Sequence, residues 1–598
     1  MTDVNNKEKE VDKKIISWSD FWKELFKMIK PFRSIAFTIL AITVLASLLD
    51  LVKPYILKWL IDGLTEFNLS ALGGMFKLIA LYIFTDQFQS LIKYFNDRRT
   101  LLLVVKLEYF LGMKSQEKLL SLSLGYHEKE NTGAKIIKIE RGSDKITKFV
   151  ENICWEMLPT TIQLLVTIPA LFWADWRIGL SFLIFAPAFI YVTYWSNKKM
   201  VPVRREIFRD YETASGKMGQ AIININAVQS FVQEENELSG FEKIKSYIRD
   251  NENKQWSWIM KIGLGRNLIV DIGRGSVLLL GVYFVSQNII SVGSLIFAFT
   301  LSEKAYASLY RLTRFYDRME EGREGINRLL TLFKFESEIK EREDAYNPKN
   351  IKGEIEFKNV SFSYNDNLHA AINNLNLKIE AGKVTALVGP SGGGKTTLAR
   401  LIYRHYDPQR GQVLLDGRNL QEYKLHGFRR FLAIVPQEVE IFDLSVRDNI
   451  AYAKPGASFS EIEEAAKIAN AEEFILQLNE KYDTMVGERG IKLSGGQRQR
   501  IGIARAILAS PSVLIFDEAT SNLDSQSEKL IKDAMDKISH NRTVVIIAHR
   551  LSTIKKADKI IVLENGQVAE SGTHQELSKV QGGLYAKLLK LQEIGEVI

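Results

Sequence analysis

The sequence predicts a chain of two unlike halves, an all-α membrane domain followed by an α/β domain. Up to about residue 330 there are long apolar runs, several of them free of charged residues. Beyond that point, short β-branched runs alternate with glycine-rich turns and helical patterns, which is typical of an α/β domain. At 598 residues the chain is also too long to be built around one hydrophobic core.

The clearest membrane span is Ile178–Asn197, which is free of charge and about long enough to cross a bilayer as a helix. Leu158–Ala174 precedes it, also without charge, and only residues 175–177 separate the two runs. Because so short a connection joins them, we expect these two spans to form a helical hairpin.

Four further spans bring the predicted total to six transmembrane helices. The charge-free run Ser276–Ser302 is too long for one crossing and is punctuated near its middle, so it predicts parts of two helices, the first of which begins earlier. Ser34–Leu49 and Ala71–Ile92 supply the first two spans, although Lys77 and Asp86 interrupt the second.

The lengths of the connections predict the orientation of the spans. Those near residues 65–72, 175–177 and 287–293 are short, whereas 96–150 and 198–262 are long, charged and rich in Lys and Arg. By the positive-inside rule the long cytoplasmic extensions, the N-terminal tail and the second half of the chain then lie in the cytoplasm. This pattern fits a protein of an inner or plasma membrane, surrounded by membrane lipids.

The net charge of +8 agrees with this interpretation. A basic chain could bind nucleic acid, but Lys and Arg in cytoplasmic loops produce the same excess, so no nucleic-acid partner is expected. The single cysteine, Cys154, excludes an intramolecular disulfide and is expected to be a small core or lipid-facing residue.

The N-terminal stretch MTDVNNKEKEVDKK is charged and lacks an early apolar core, so no signal peptide is expected. Residues 18–29, WSDFWKELFKMI, have apolar side chains at helical spacing, which predicts an amphipathic helix at the membrane interface. A helix of a soluble core is the alternative.

The stretch VTALVGPSGGGKTTLARLI, residues 384–402, is an apolar strand, a glycine loop and a helix. Gly389 and Gly394 bracket the loop, and Lys395 and Thr396 close it, as in the pattern G-x-x-x-x-G-K-[ST]. Glycines let backbone N–H groups approach phosphates closely, and the helix N-terminus attracts their negative charge. The second half is therefore predicted to be an α/β P-loop nucleotide-binding domain, with Lys395 at the β- and γ-phosphates and Thr396 at Mg²⁺.

A second motif, SVLIFDEATSNLD, is an apolar strand that ends in two carboxylates. Asp517 is placed to hold a metal ion beside the phosphate loop, and Glu518 to polarise an attacking water as a general base. A strand that happens to end in two acids is the alternative.

A third stretch, KLSGGQRQRIGIARAIL, begins a helix at Ser494, Gly495 and Gly496. With the two motifs above, LSGGQ makes the chain resemble the ATP-binding cassette (ABC) transporters over its whole length. The resemblance is to a half-transporter of type IV exporter architecture. It implies a cytoplasmic tail and interfacial elbow helix at 1–30, a transmembrane domain at 31–330, a linker at 331–352 and a nucleotide-binding domain at 353–598.

In that family two nucleotide domains close head to tail, so that the signature of one chain covers the ATP held by the other. A helix start with free N–H groups, a serine hydroxyl and no bulky side chain suits a γ-phosphate. One half-site of each kind per chain implies a homodimer with two composite sites for ATP and Mg²⁺.

The resemblance also implies roles for residues that the motifs alone leave ambiguous. Tyr364 aligns with the aromatic that stacks on adenine, although a lone tyrosine is more often a core residue. Gln437 resembles the residue that reaches Mg²⁺ and the attacking water, and His549 the switch histidine near the γ-phosphate; either would otherwise be an ordinary polar residue. The implied catalytic set is Glu518, His549 and Gln437; the metal set is Thr396, Gln437 and Asp517; the nucleotide set is Tyr364, Gly389, Ser391, Gly392, Gly393, Gly394, Lys395, Thr396, Thr397, Ser494, Gly495, Gly496, Gln497 and Asp524.

Two stretches of the long connections resemble the coupling segments of the family. They are LSLGYHEKENTG, residues 122–133, and INAVQSFVQEE, residues 225–235. Such segments rest on the nucleotide domains and transmit their closure to the membrane helices. Plain solvated loops are the alternative.

The implied function is ATP-driven export or flipping of a small amphiphilic substrate by alternating access. Ionisable residues in or beside the fifth and sixth spans suggest a cavity with net positive charge for an anionic amphiphile, namely Arg266, Asp271, Arg274, Glu303, Lys304 and Arg311. Asp271 and Arg274 are three residues apart, so they could instead simply pair, which would favour a broad multidrug pump over a lipid flippase.

Three other function classes are the alternatives. A soluble ATPase acting on DNA or ribosomes would lack the spans, and an importer of this family usually needs separate membrane subunits or a binding protein. An ATP-gated channel or regulatory ABC protein shares the same parts and would pass current without stoichiometric use of ATP.

Overall fold

In the computed structural model, the described residues are 16–65, 72–129, 132–313, 315–364, 370–487, 490–518, 525–539, 542–548 and 554–593. They form two compact units. Residues 121–132 belong with residues from 336 onward in one unit, here called the nucleotide unit, and the residues up to 120 together with 133–335 form the other, the membrane unit.

The membrane unit is entirely helical in its described part. Its α-helices, with α5 of the nucleotide unit included to keep chain order, are α1 Trp18–Ile29, α2 Arg33–Leu49, α3 Val52–Thr65, α4 Leu72–Ser121, α5 Leu124–Lys129, α6 Thr132–Asn152, α7 Leu158–Ala174, α8 Trp176–Ile223, α9 Ile225–Ser230, α10 Glu234–Ser286, α11 Val292–Leu312 and α12 Phe315–Lys334. A 3₁₀ turn joins α1 to α2, and one turn of π-helix joins α6 to α7.

The hairpin predicted around residue 175 is present. Helix α7 has the predicted bounds, and α8 begins directly after Asp175, whose carboxylate accepts the N–H groups of Arg177 and Ile178. An acidic N-cap of this kind satisfies backbone donors that would otherwise be unpaired at the helix start.

The long charged connections differ from the sequence expectation, because most of their length is helix rather than loop. Helices α4, α8 and α10 continue far beyond the apolar runs, to lengths of 50, 48 and 53 residues. The polar stretches remain helical since a helix satisfies its own backbone groups, and α8 packs along α10 over many turns.

Four continuous helical stretches in the described chain are long and apolar enough to cross a membrane, namely 18–65, 142–174, 176–223 and 234–286. The predicted second and sixth spans are helical as well, in α4 and α11. They do not reach the same hydropathy because Lys77 and Asp86 lie in the first and Glu303 and Lys304 in the second.

The predicted amphipathic helix α1 buries its apolar face against protein. Phe21, Leu25 and Met28 are buried in a cluster with residues of α4, α6 and α12, and the Phe21 ring packs edge-on against Phe149. Phe26, on another face, stays exposed. Cys154 is buried beside this cluster, as a core residue.

The nucleotide unit contains two sheets and surrounding helices. Its strands are β1 Ile355–Phe362, β2 Ile372–Ile379, β3 Val384–Val388, β4 Arg410–Leu415, β5 Arg418–Asn419, β6 Leu432–Val435, β7 Val513–Asp517, β8 Thr543–Ile547, β9 Lys559–Glu564 and β10 Gln567–Gly572. Its helices after α12 are α13 Lys395–Ile402, α14 Leu425–Arg429, α15 Val446–Ala451, α16 Phe459–Ile468, α17 Glu472–Gln477, α18 Gly495–Leu508, α19 Ser525–Ser539, α20 His574–Leu577 and α21 Leu584–Glu593.

One sheet is antiparallel with the order β2-β1-β4-β5, and the other has the order β10-β9-β3-β8-β7-β6. In the larger sheet all neighbours pair in parallel except the edge strand β10. Its central strands are buried on both faces, as expected for a parallel sheet covered by other layers. The phosphate loop follows β3, so it lies at the carboxyl edge where α/β sheets bind ligands.

Candidate ATP site

The phosphate loop, residues 389–396, is shaped by two glycines, Gly389 and Gly394, that no other residue could replace without strain. Gly389 has φ +147° and Gly394 has φ +97°. A Cβ on Gly389 would lie 2.1 Å from the carbonyl oxygen of Leu563 in β9, and one on Gly394 would lie 2.7 Å from that of Ala371. The loop therefore packs backbone against backbone, which leaves its outer side for a ligand.

Lys395 opens helix α13 and folds back over the loop. Its Nζ donates to the carbonyl oxygens of Gly389 at 2.8 Å and Pro390 at 3.0 Å. The side chain is buried, and burial lowers the pKa of Lys395, while the carboxylates of Glu518 and Asp517 act in the opposite direction. The ammonium group is thus held against the phosphate loop at the start of α13, where an anionic phosphate would compensate its desolvation.

Thr396 and Asp517 meet across the sheet. The Thr396 hydroxyl donates to Asp517 Oδ1 at 3.2 Å, although β8 lies between β3, which leads into the phosphate loop and α13, and β7, which ends at Asp517. Burial raises the pKa of Asp517, and the hydrogen bond from Thr396 partly offsets that shift. A hydroxyl and a buried carboxylate in contact offer the hard oxygen donors that Mg²⁺ prefers, so these two residues fit the ion.

Glu518 follows directly and has an unusual backbone. Its φ is +51°, in the left-handed region that residues other than glycine rarely adopt, and its N–H donates to the carbonyl of Ile547 at 3.0 Å. Such a conformation costs about 1–3 kcal/mol and persists where the surrounding structure enforces it, often at functional sites. Strand β7 ends at Asp517, and the left-handed turn at Glu518 means that Glu518 no longer follows the alternation of that strand.

Tyr364 lies within an aromatic cluster beside helix α13. Its ring packs edge-on against Phe362 and Tyr406, with centroids 5.0 and 5.3 Å away, and its hydroxyl lies 3.2 Å from Thr397 Oγ1. The side chain is 39% exposed, so one part of the ring remains open to a ligand. Contact with Thr397 connects this tyrosine to the helix that carries Lys395 and Thr396.

The signature begins helix α18 with a capping box. The Ser494 side chain accepts the N–H of Gln497, and the Gln497 side chain accepts the N–H of Ser494 at 2.8 Å. Ser494 and Gly495 are exposed, whereas Gly496 is buried. The helix start is therefore fixed by its own cap and presents no bulky side chain to solvent.

Gln437 follows β6 and is exposed. The neighbouring loop is tied to the signature helix, because Gln499 donates to the carbonyl of Pro436 and Arg505 to that of Glu440. Gly502 permits this approach, since a Cβ there would lie 2.7 Å from the Val439 side chain.

The structure describes some of the remaining predicted residues and not others. Ser391 and Gly392 are exposed in the loop, whereas Gly393 and Thr397 are buried. His549 and Asp524 lie outside the described residues. The structure therefore brings together Gly389, Gly394, Lys395, Thr396, Asp517 and, through Thr397, Tyr364.

The first predicted coupling segment, residues 122–133, contacts the nucleotide-binding fold through its described residues 122–129. Glu128 accepts a hydrogen bond from the Tyr406 hydroxyl at 2.7 Å and forms an ion pair with Arg400 at 3.0 Å. Gly125 lies against the same tyrosine, so closely that a Cβ would be 2.8 Å from the ring. Sequence reasoning missed Arg400 and Tyr406, because nothing local marks a partner 272 or 278 residues away.

In the membrane unit, Asp50 is the centre of a polar cluster. It lies at the end of α2, accepts hydrogen bonds from Gln89 and Gln163 at 3.1 Å, and pairs with Lys304 of α11 at 2.5 Å. Lys304 also donates to the Asp50 carbonyl. The charge of Lys304 is thus neutralised within the protein by the Asp50 carboxylate. Lys53 and Asp86 form another ion pair between α3 and α4.

The basic residues predicted to face a cavity are largely paired. Arg274 lies 2.5 Å from Glu303 and 3.5 Å from Asp271, which realises the pairing that the sequence left open. Arg311 donates to Gln163 and Ser308. The Nε of Arg266 is buried, and no hydrogen-bond partner for it occurs among the described residues.

Comparison with known protein families places both halves of the chain. Residues 36–306 match the family described as ABC transporter transmembrane region, and residues 372–521 match the family described as ABC transporter. A Bacillus subtilis (strain 168) protein named "Uncharacterized ABC transporter ATP-binding protein YwjA" is 31% identical over 95% of this chain and 98% of its own.

Two further relatives are named "Putative multidrug export ATP-binding/permease protein". YgaD of Bacillus subtilis (strain 168) is 32% identical over 96% of this chain and 99% of its own. A protein of Staphylococcus aureus (strain NCTC 8325 / PS 47) is 33% identical over 96% of this chain and its own full length.

Among solved structures, a bacterial Atm1-family ABC exporter with ATP bound is similar with a TM-score of 0.83. It is 30% identical, and the match covers 94% of this chain and 98% of that one. A helical transmembrane domain fused to a nucleotide-binding domain is common to both. The chain belongs to the ABC transporter family, as an integral membrane exporter that couples ATP hydrolysis to transport.

Proposed function

We propose that the chain works as a homodimer that exports amphiphilic compounds by alternating access, with two composite ATP sites. The observation that carries this proposal is the division of the site within one chain. Each chain has one phosphate loop with an open outer side and one signature whose Ser494 and Gly495 are exposed. Two-fold pairing of identical chains would complete two equivalent sites.

An exposed apolar surface supports a second copy as the partner. At the turns between α8, α9 and α10, Ile223, Phe231 and Val232 are 76%, 74% and 80% exposed. Large apolar side chains clustered at one tip are typical of an interaction site. This tip includes the second predicted coupling segment, and we assign it to the nucleotide unit of the other chain.

The roles proposed for the site follow from its chemistry. Lys395 and the loop N–H groups hold the phosphates, while Thr396, Asp517 and Gln437 hold Mg²⁺, which when bound neutralises phosphate charge. Glu518 orients and deprotonates the attacking water, and Tyr364 stacks on adenine. His549 at the γ-phosphate, and Asp524 at the dimer interface with Ser494 to Gln497, complete the proposed set.

The pairing of charged residues in the membrane unit bears on the choice between two substrate classes, anionic lipids and compounds of the multidrug type. Lys304 and Arg274 are engaged by carboxylates, so the argument for an anionic lipid now rests mainly on Arg266 and on Arg311, whose partners are the neutral side chains of Gln163 and Ser308. Two relatives are named for multidrug export. We therefore propose hydrophobic, amphiphilic compounds of the multidrug type as substrates.

ATPase activity in lipid nanodiscs and transport into proteoliposomes test this proposal. The panel contains cationic drugs, anionic lipids and lipid-linked sugars, with Glu518→Gln as the inactive control. Stimulation across chemically varied drugs, with uptake that depends on ATP, is the expected result. Stimulation confined to anionic lipids would restore the lipid hypothesis, and ionic current without matching ATP use would indicate a channel.

A further inference from the structure

The contact between Glu128 and helix α13 extends further than one ion pair. Arg400 holds both carboxylate oxygens of Glu128, with Nη2 at 3.0 Å from Oε1 and Nη1 at 3.3 Å from Oε2. The same Nη1 lies 3.4 Å from the hydroxyl of Tyr364. One guanidinium therefore contacts both the coupling segment and the aromatic ring beside the phosphate loop.

A second route joins the same partners. The Tyr406 hydroxyl donates to Glu128 at 2.7 Å, and the Tyr406 ring packs edge-on against that of Tyr364 at 5.3 Å. Burial raises the pKa of Tyr406, and so does the hydrogen bond to Glu128, which keeps this hydroxyl a donor. Glu128 thus contacts two of the side chains that touch Tyr364, namely Arg400 and Tyr406.

We propose that Glu128 is a positioning residue for adenine, acting through Arg400 and Tyr406 to fix the Tyr364 ring in the orientation that accepts the base. This inference rests on the proposed role of Tyr364. Because residues 121–132 connect helices α4 and α6, the same contacts make the ordering of this segment depend on whether adenine is bound. By linkage, binding of adenine must favour the ordered segment, and the ordered segment must favour binding of adenine.

The geometry makes a sharp distinction between two parts of the nucleotide. Glu128 contacts the aromatic platform, whereas the phosphates are assigned to Lys395 and the glycine loop. Loss of a hydrogen bond to a charged group weakens an interaction by about 10- to 150-fold when it is fully buried, and by less at this partly exposed site. We expect an effect of about fivefold that is confined to ligands carrying the base.

The experiment compares ATP with inorganic tripolyphosphate, which has the phosphates but no base. Dissociation constants are measured on the full-length protein in nanodiscs for wild type, Glu128→Gln, Arg400→Gln and the double variant. Glu354→Gln is the matched control, since it removes a similar exposed ion pair with Lys378 on the four-stranded sheet. Tyr364→Ala tests the platform itself.

We expect Glu128→Gln to weaken ATP binding about fivefold and to leave tripolyphosphate binding unchanged. In the double variant it should add less to Arg400→Gln than it costs alone, because only the route through Tyr406 remains there. In wild type, ATP but not tripolyphosphate should slow hydrogen exchange of amides 124–129, and Glu128→Gln should abolish this protection. Equal weakening of both ligands, or of neither, would overturn the inference. If Tyr364→Ala leaves the ratio of the two constants unchanged, the adenine role of Tyr364 is itself wrong; if it collapses that ratio while Glu128→Gln does not, only the inference about Glu128 fails.

Discussion

Replacing Gly389 by alanine is expected to weaken ATP binding strongly, whereas the same change at Gly393 is expected to weaken it only slightly. At Gly389 the new Cβ would lie 2.1 Å from the Leu563 carbonyl oxygen, about 1 Å closer than side-chain carbons approach such atoms. That oxygen belongs to β9, which is paired with β3 and cannot retreat without loss of ladder hydrogen bonds. At Gly393 φ is ordinary and the closest atom is 3.0 Å away.

These numbers set the expected magnitude. Overpacking costs about 1–3 kcal/mol, and an L-residue at the φ of Gly389 costs a similar amount. If the loop moves to relieve the conflict, the phosphate cradle loses its geometry, and each 1.4 kcal/mol lowers ATP affinity about tenfold. We expect at least about a 30-fold rise in Kd for Gly389→Ala and less than about threefold for Gly393→Ala.

The assay is binding of a fluorescent ATP analogue to the protein in nanodiscs, with thermal melting as the check on folding. The reasoning is refuted if Gly389→Ala, folded by its melting transition, binds the analogue as tightly as Gly393→Ala does.

Three other perturbations follow from the same contacts. Glu518→Gln should keep ATP affinity within about twofold and reduce steady-state hydrolysis by at least about 100-fold, and sustained turnover would contradict its role as the base. Lys304→Met should destabilise the membrane unit by about 2–4 kcal/mol because it leaves the Asp50 carboxylate without its cation. Adding Asp50→Asn should recover most of that loss in thermal melting, and a double variant no more stable than the single would argue against the pair. Burial, with Arg429 and Arg400, lowers the pKa of His405 to about 4, so the folded protein resists protonation there. Because the unfolded chain binds a proton at His405 more readily, the free energy of unfolding should fall by up to about 1.4 kcal/mol per pH unit as the pH is lowered from 6.5 to 4. His405→Asn should flatten the profile of melting temperature against pH over that window, and identical profiles for the two proteins would contradict this.

The phosphate loop and signature could be predicted from the sequence because their conformation is set locally. Glycines at positive φ, a helix that begins at Lys395, and a Ser494–Gln497 capping box each depend on residues within a few positions of one another. The meeting of Thr396 and Asp517 needed only the expectation that both lie at the carboxyl edge of one parallel sheet.

The other features depend on contacts that no local pattern encodes. Lys304 and its partner Asp50 are 254 residues apart in the sequence, and Arg400 and Glu128 are 272 residues apart. No local pattern indicates that these charges are paired. Nothing local in the charged sequence of the long connections indicates that most of their length is helix. Their helical state depends on packing between α8 and α10, which sequence alone does not show.

Mixing two inactive variants tests most directly whether the ATP sites are shared between two copies of the chain. Lys395→Ala removes the phosphate-binding amine and Ser494→Arg blocks the signature, so each variant alone should be inactive. In a mixed dimer one composite site carries both defects and the other is intact, and random pairing should restore about one quarter of wild-type ATP hydrolysis if the sites act independently. No recovery after co-reconstitution, with mixed dimers verified by two affinity tags, would contradict the account.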